Sequence, residues 1–153
     1  MDHESRLKEL GLVLPQAPKP IATYKTAVRH GDLLYVSGHG PLRVDGTLIV
    51  GRVGDDLDLD GGRAAARQVG LAMLATIRDH LGSLNHVAEL IKVLALVRCT
   101  PEFGDQPKVV NGFSDLMVEV FGEAGKGARS ALGTSALPGG IAVEIEAIFQ
   151  VRP

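Results

Sequence analysis

Two glutamates and one arginine near the carboxyl terminus carry the chemistry that this sequence can support. Glu144 and Glu146 stand two residues apart in segment 141–152, where alternating apolar and polar residues indicate a strand with one buried face. The planar guanidinium of Arg129 is suited to hold a small carboxylate, and a glutamate beside it can orient water or move a proton. The same side chains would also suit an ordinary salt bridge on a solvated sheet face. Spacing alone leaves both interpretations open.

A predicted hairpin brings these three side chains together. Segments 129–136 and 141–152 both have strand character, and the turn residues at 137–140 indicate that they pair in antiparallel fashion. The expected register pairs Ala136 with Ile141, Gly133 with Glu144, Ala131 with Glu146, and Arg129 with Ile148. Arg129 is therefore expected to project from the same sheet face as both glutamates.

His39 is a further candidate for chemistry, because it lies in a glycine-flanked loop ahead of Pro41. A loop histidine is most often simply exposed, and acid–base or ligand-binding work is the alternative. The acidic run at 56–61 matches the opening of a calcium loop, but its twelfth position is Arg67 rather than glutamate. Helix capping is the better account of this run, and no metal site is predicted.

The elements that must position these residues follow the order β-β-β-α-β-α-β-β. Strands are predicted over 24–29, 33–37, 47–50, 90–98, 129–136 and 141–152, and helices over 62–81 and 107–121. This order predicts an α+β fold in which two helices pack on one face of a mixed six-stranded sheet. Residues 1–20 form an extension with a short polar helix and a proline-rich tether, so the domain itself spans 21–153.

Composition excludes several classes of protein. The chain has 153 residues, of which 45% are hydrophobic but only 4% aromatic, and its formal net charge is -2. This length suits one domain with its own core. No basic run offers a surface for nucleic acid or an anionic membrane, and the single cysteine, Cys99, excludes a disulfide framework. The polar amino terminus lacks the apolar core of a signal peptide, so a cytoplasmic protein is expected.

Three groups of residues form a recognisable pattern. The strongest group is Gly127-Ala-Arg129-Ser130, followed by Leu137-Pro138 and then by Val143-Glu144-Ile145-Glu146-Ala147. The second group is Tyr24, Gly31 and Val36-Ser37-Gly38 at the spacing of a first hairpin, and the third is Asn111 in the second helix. Over residues 21–153 this pattern resembles the Rid family, the reactive intermediate deaminases that are also called the YjgF family.

The resemblance implies a chorismate-mutase-like fold and a homotrimer with clefts between its subunits. It also implies that Arg129 grips the carboxylate of a 2-imino acid and that Glu144 lines the same pocket, where its carboxylate can orient the attacking water or relay its proton. The further substrate-binding residues are then Tyr24, Ser37, Gly38, Asn111 and Ala131, and His39 is added because it lies beside the pocket residues in its loop. Ala131 replaces the family's cysteine, so a thiol role is lost there while a backbone contact can remain. The resemblance implies no metal and no organic cofactor.

The expected function is hydrolysis of small 2-imino or enamine acids to 2-keto acids and ammonia. A non-catalytic module that binds 2-keto acids in the same cleft is the alternative. An endoribonuclease, an activity associated with some relatives, is disfavoured by the net charge of -2 and by the few aromatic rings available for stacking. The second face of the sheet carries small aliphatic residues among its charges, and neighbouring subunits are expected to cover it.

Overall fold

The computed structural model describes residues 2–153, and Met1 at the start of the predicted extension lies outside the described residues. In chain order the elements are α1 (His3–Glu9), β1 (Ala27–His30), β2 (Leu33–His39), α2 (Leu59–Leu81), β3 (Val87–Arg98), α3 (Gln106–Phe121), β4 (Ala128–Thr134) and β5 (Val143–Val151). Short 3-10 helices follow α2, α3 and β4, at Leu84–His86, Gly122–Gly125 and Pro138–Gly140. The architecture is α+β, as the sequence predicts.

The strands form one mixed sheet in the order β1-β2-β5-β3-β4. β5 is central and runs antiparallel to both β2 and β3, while β4 runs parallel to β3 at the edge. The predicted alternation in β5 is confirmed, because its buried residues are Val143, Ile145, Ala147, Phe149 and Val151. Its intervening side chains are half-buried or exposed and belong to the opposite face of the sheet, which we call the open face.

Two long helices cover the buried face of the sheet. α2 begins after Asp58, whose carboxylate accepts a 2.7 Å hydrogen bond from the Gly61 amide, a cap that contributes about 1 kcal/mol. It ends at Gly82, which has the left-handed backbone (φ 80°) that glycine adopts without strain. α2 and α3 pack on each other, and the side chains between them and the sheet form one hydrophobic cluster. Over residues 2–153, none of the helices has the length and hydropathy needed to cross a membrane.

The structure corrects two predictions about the strands. Across the described residues the sheet has five strands rather than six, because residues 47–50 make only isolated bridges, from Leu48 to Leu42 and from Val50 to Ile141. The predicted hairpin between the last two strands is wrong, because β3 lies between β4 and β5. α3 connects β3 to β4 as a parallel crossover, so residues 137–140 carry the chain past β3 instead of closing a tight turn.

The amino-terminal extension packs onto the same core. Asp2 caps the first turn of α1, and Leu7 is buried in the common hydrophobic cluster. The carboxylate of Glu4 accepts a 2.8 Å hydrogen bond from the Leu84 amide and lies 3.4 Å from the guanidinium of Arg78. α1 is therefore fixed on the helical side of the sheet, and the tether that follows it runs to the open face.

Candidate functional site

A cleft of about 960 Å³ lies on the open face of the sheet. Residues of β2, β3 and β5 form its floor, and its walls come from the tether after α1, the loop between β2 and α2, and the segment before β5. Most of the lining side chains are aliphatic, and those that carry charge are Lys19, Glu144 and Glu146. A concave apolar surface with a few convergent polar groups is typical of sites that bind small organic molecules.

A β-bulge in β2 brings Gly38 against Glu144. Val36 pairs with Ala147 and His39 with Ile145, so three steps along β2 correspond to two steps along β5. A Cβ atom at position 38 would lie 3.1 Å from the carboxyl carbon of Glu144, closer than ordinary van der Waals contact. Glycine at this position therefore allows the carboxylate to lie directly against the backbone of the bulge.

The surroundings of Glu144 favour its protonated form. Partial burial on the open face, together with the negative charge of Glu146, raises the pKa of the Glu144 carboxyl above its ordinary value. A carboxyl group whose pKa moves towards neutral pH is better able both to accept and to donate a proton during a reaction. Glu144 is therefore the group in the cleft that is best suited to acid–base chemistry.

His39 is buried behind the cleft, and both of its ring nitrogens are engaged. The bulge turns its side chain to the core face, where the residue is only 3% exposed, so the expectation of an exposed loop histidine is wrong. Nδ1 lies 2.6 Å from the Ser37 carbonyl oxygen, which can only accept, and therefore donates to it. Nε2 then accepts from the Thr76 hydroxyl at 2.7 Å. Burial lowers the pKa of His39 and keeps the ring neutral, so it anchors the bulge to α2.

Replacing Thr76 by valine tests this anchor. Thr76→Val keeps the size of the side chain but leaves Nε2 of a buried histidine without a donor, so we expect the free energy of unfolding to fall by about 1–3 kcal/mol. Urea denaturation followed by circular dichroism measures the change. The matched control is Thr26→Val, which removes an exposed contact with His80 and should cost less than about 0.5 kcal/mol. Equal losses in the two variants would contradict the role assigned to the His39–Thr76 pair.

The structure separates the predicted site residues into two groups. Tyr24, Ser37, Gly38 and Glu144 line the cleft, and His39 borders it with its side chain turned to the core face. The second group is Asn111, Arg129 and Ala131, which lie at α3 and β4. Arg129 pairs in register with Val93, which is buried beneath the helices, so its side chain belongs to the helical face. The expectation that Arg129 shares a sheet face with the two glutamates is therefore wrong within one chain.

Arg129 is held at the edge of the sheet by α3. Its Nη1 donates to the Ser114 hydroxyl at 3.0 Å, and its Nη2 donates to the Pro107 carbonyl oxygen at 3.2 Å. Asn111 follows Pro107 by four positions and precedes Ser114 by three, so it lies on the same face of α3. Among residues 2–153, no carboxylate forms an ion pair with Arg129. Its charge is available to an anion that approaches the edge of β4.

Three residues of this region have no clear signal in the sequence. Among the described residues, Lys19 is the one lysine or arginine that lines the cleft. It reaches the cleft because the tether runs to the open face of the sheet. Leu48 lines the cleft from a loop that the sequence pattern predicts to be a strand. Thr76 does have a weak signal, because it is a hydroxyl residue beside Ile77 in the apolar part of α2.

Comparison with known proteins identifies the family. The family model described as "YjgF/chorismate mutase-like, putative endoribonuclease" matches residues 4–143. The chain is 38% identical over 149 residues to Protein TCP17 of Trypanosoma cruzi, covering 97% of this chain and 93% of that protein. It is 30% identical over 139 residues to a 2-iminobutanoate/2-iminopropanoate deaminase of Dermatophagoides farinae, covering 90% of this chain and 93% of the relative.

A solved structure extends the similarity to the amino-terminal helix. The crystal structure of the protein Atu1372 from Agrobacterium tumefaciens, whose function is described as unknown, superposes with a TM-score of 0.89 at 38% identity. The superposition covers 99% of this chain and 92% of that chain, so it includes the extension as well as the sheet. The chain belongs to the YjgF/chorismate mutase-like family, which is the Rid family that its sequence resembles.

Proposed function

We propose that this protein hydrolyses small 2-imino and enamine acids to 2-keto acids and ammonia. The observation that carries the proposal is Glu144, a partly buried carboxylate with a raised pKa that lies against Gly38 on the floor of an apolar cleft. Membership of the family, and 30% identity with a relative named as a deaminase, support the same reaction. Neutral water is a weak nucleophile, and a carboxylate that takes its proton during the attack lowers the barrier.

Glu144 can serve as proton acceptor and then as proton donor. As the water oxygen bonds to C2 of the protonated imine, the π electrons of the C2–N bond move to nitrogen and Glu144 takes one proton from the water. The carbinolamine then receives that proton on its nitrogen, and the C2–N bond breaks. The departing ammonia takes the hydroxyl proton, which leaves the keto acid and ammonium. An enamine substrate first becomes the protonated imine: its nitrogen lone pair forms the C2–N π bond while the C2–C3 π electrons take a proton from solvent onto C3.

The substrate carboxylate needs a cation, and we infer that Arg129 of a neighbouring copy supplies it. The guanidinium lies at the edge of the sheet beside Asn111, and no ion pair within residues 2–153 occupies it. The open face carries apolar side chains that are exposed in one chain, at Val28, Tyr35 and Leu132, and their burial against another copy would be favourable. A homotrimer with a cleft at each interface would unite the two groups of site residues.

The direct test is release of 2-keto acid and ammonia from 2-aminoacrylate or 2-iminobutyrate, each generated by a coupled enzyme. We expect catalytic amounts of the purified protein to raise the rate above spontaneous hydrolysis, in buffer that contains a chelator. Binding of 2-oxobutanoate in a calorimeter without any acceleration would contradict hydrolysis and favour the non-catalytic binding module. Degradation of single-stranded RNA by the same preparation would favour the endoribonuclease that the family's description names.

A further inference from the structure

The bulge in β2 places two consecutive residues on the open face of the sheet. Residues of β2 alternate between buried and accessible as far as Ser37, and the next residue, Gly38, is accessible as well. In a regular strand Gly38 would lie on the core face and His39 on the open face. The additional residue exchanges these two positions, so that Gly38 contacts Glu144 and the ring of His39 lies in the core.

Contact with the bulge fixes the carboxylate of Glu144. Its neighbour on β3 is Leu96, whose side chain offers the carboxylate no hydrogen bond. No ion pair within residues 2–153 involves Glu144. On the side of β2, its carboxyl carbon and Oε2 lie 3.1 and 3.2 Å from the position that a Cβ atom at Gly38 would take. The location of the carboxylate therefore depends on the location of Gly38.

We propose that His39 is a positioning residue for Glu144, because its ring holds the bulge that places Gly38 against the carboxylate. The proposal rests on the proposed function, in which Glu144 is the proton acceptor. Nδ1 of the ring donates to the Ser37 carbonyl oxygen within the bulge, and Nε2 connects the ring to the Thr76 hydroxyl on α2. His39 and Thr76 are 3% and 2% exposed in one chain, so these contacts do not depend on what covers the open face.

The bond to the Ser37 carbonyl oxygen acts on Gly38 directly. This oxygen belongs to the planar peptide group that joins Ser37 to Gly38, so the donor on His39 fixes the plane of that peptide. The other polar groups of Ser37 are held from the segment before β1. Its amide donates to the Thr26 carbonyl oxygen at 2.9 Å, and its hydroxyl donates to the Lys25 carbonyl oxygen at 2.6 Å. Loss of the histidine donor would therefore release the one side of the bulge that adjoins Glu144.

Substitutions at position 39 separate the two bonds of the ring. The side-chain amide of His39→Asn can take the place of Nδ1 and keep the donor to Ser37, whereas that of His39→Gln reaches towards Thr76 and loses this donor. We expect His39→Gln to lower kcat by about tenfold to 100-fold with KM within about twofold of wild type, because a displaced proton acceptor slows the chemical step. His39→Asn should keep kcat within about threefold of wild type. Thr76→Val is the stability control, because it weakens the fold but keeps the Nδ1 bond, and it should also keep kcat within about threefold.

Titration of the Glu144 carboxyl by NMR is a readout that needs no turnover. The protein is isotopically labelled at the side-chain carboxyl carbon of glutamate, and the Glu144 signal is assigned by its absence in Glu144→Gln. Burial raises the pKa of Glu144 while the carboxylate lies against the bulge, so this pKa should fall in His39→Gln and stay unchanged in Thr76→Val. Both variants keep the other titratable groups around the cleft and the bulge, which are Lys19, Tyr24, His80 and Glu146.

Failure of the positioning role can be told apart from failure of the proposed function. A wild-type value of kcat or of the Glu144 pKa in His39→Gln, or an equal change in Thr76→Val, would overturn the positioning role while leaving hydrolysis intact. If the wild-type protein hydrolyses no imine, the proposed function fails, and the titration of Glu144 alone decides the positioning role.

A substitution on the other side of the contact covers the case in which His39→Gln does not fold. Gly38 does not have a left-handed backbone, so Gly38→Ala is compatible with the bulge, and its Cβ atom would displace the Glu144 carboxylate. We expect this variant to lower kcat by about tenfold or more while His39 keeps both of its hydrogen bonds. Wild-type kcat in Gly38→Ala would overturn the proposal, because the contact between the bulge and Glu144 would then have no effect on the reaction.

Discussion

Activity of about a quarter of the wild-type value is expected from the proposed homotrimer when two inactive variants are co-expressed in equal amounts. Arg129→Ala and Glu144→Gln should each lower kcat/KM by about 100-fold or more, because one removes the proposed carboxylate grip and the other removes the proposed proton acceptor. In randomly mixed trimers, about one cleft in four combines an intact Arg129 from one copy with an intact Glu144 from the next. The activity of the purified mixed trimers measures this fraction.

The placement of these two residues makes the mixing experiment decisive. Within one chain the Arg129 guanidinium contacts α3, whereas Glu144 lines the cleft on the opposite face of the sheet. If each site were built from one chain, no mixed trimer would contain an intact site, and the mixture would stay inactive. Lys19→Met is the comparison variant, since it removes the positive charge that the chain itself brings to the cleft. Loss of activity in Lys19→Met but not in Arg129→Ala would contradict the role given to Arg129.

Glu144→Gln should lower kcat by about 100-fold to 10,000-fold while leaving the affinity for 2-oxobutanoate largely unchanged. The amide keeps the size and shape of the side chain but cannot take a proton from water. Glu146→Gln is the matched control, because it makes the same chemical change two residues away on the same face of β5. It should remain active, which separates loss of the proton acceptor from a general loss of charge in the cleft. Equal losses of kcat in the two variants would contradict the role of Glu144.

The pH profile of the control variant gives a second measurement. The negative charge of Glu146 contributes to the raised pKa of Glu144, so Glu146→Gln should lower that pKa. Activity falls on the acidic side because protonated Glu144 cannot accept a proton from water. The acidic limb of kcat/KM should therefore move to lower pH in Glu146→Gln. A limb that stays in place, or moves to higher pH, would show that another group titrates there.

Local patterns predict those parts of the fold that depend on neighbouring residues. The alternation along β5 identifies its buried face, and Gly82 marks the end of α2, because both signals come from the residues themselves. The pairing of β4 depends instead on β3, which lies far away in the chain and separates β4 from β5. The turn signal at 137–140 is real, but it does not reveal which strand lies next to β4.

The candidate site likewise contains some features that local patterns predict and others that depend on distant pairing. Tyr24, Ser37, Gly38 and Glu144 line one cleft. The face to which Arg129 points depends on its register with β3, and the burial of His39 depends on one additional residue in β2. Neither a long-range register nor a bulge leaves a periodic signal in a single sequence.

The path of the tether has a thermodynamic consequence for the amino terminus. The amino-terminal segment contacts both sides of the sheet. On the helical side Glu4 fixes α1 to the Leu84 amide, and on the open face Ile21 of the same segment lines the cleft. A ligand that binds more tightly when this segment is in place must, by reciprocity, stabilise the docked helix by the same free energy. Such a ligand would therefore raise the hydrogen-exchange protection of α1 without contacting that helix.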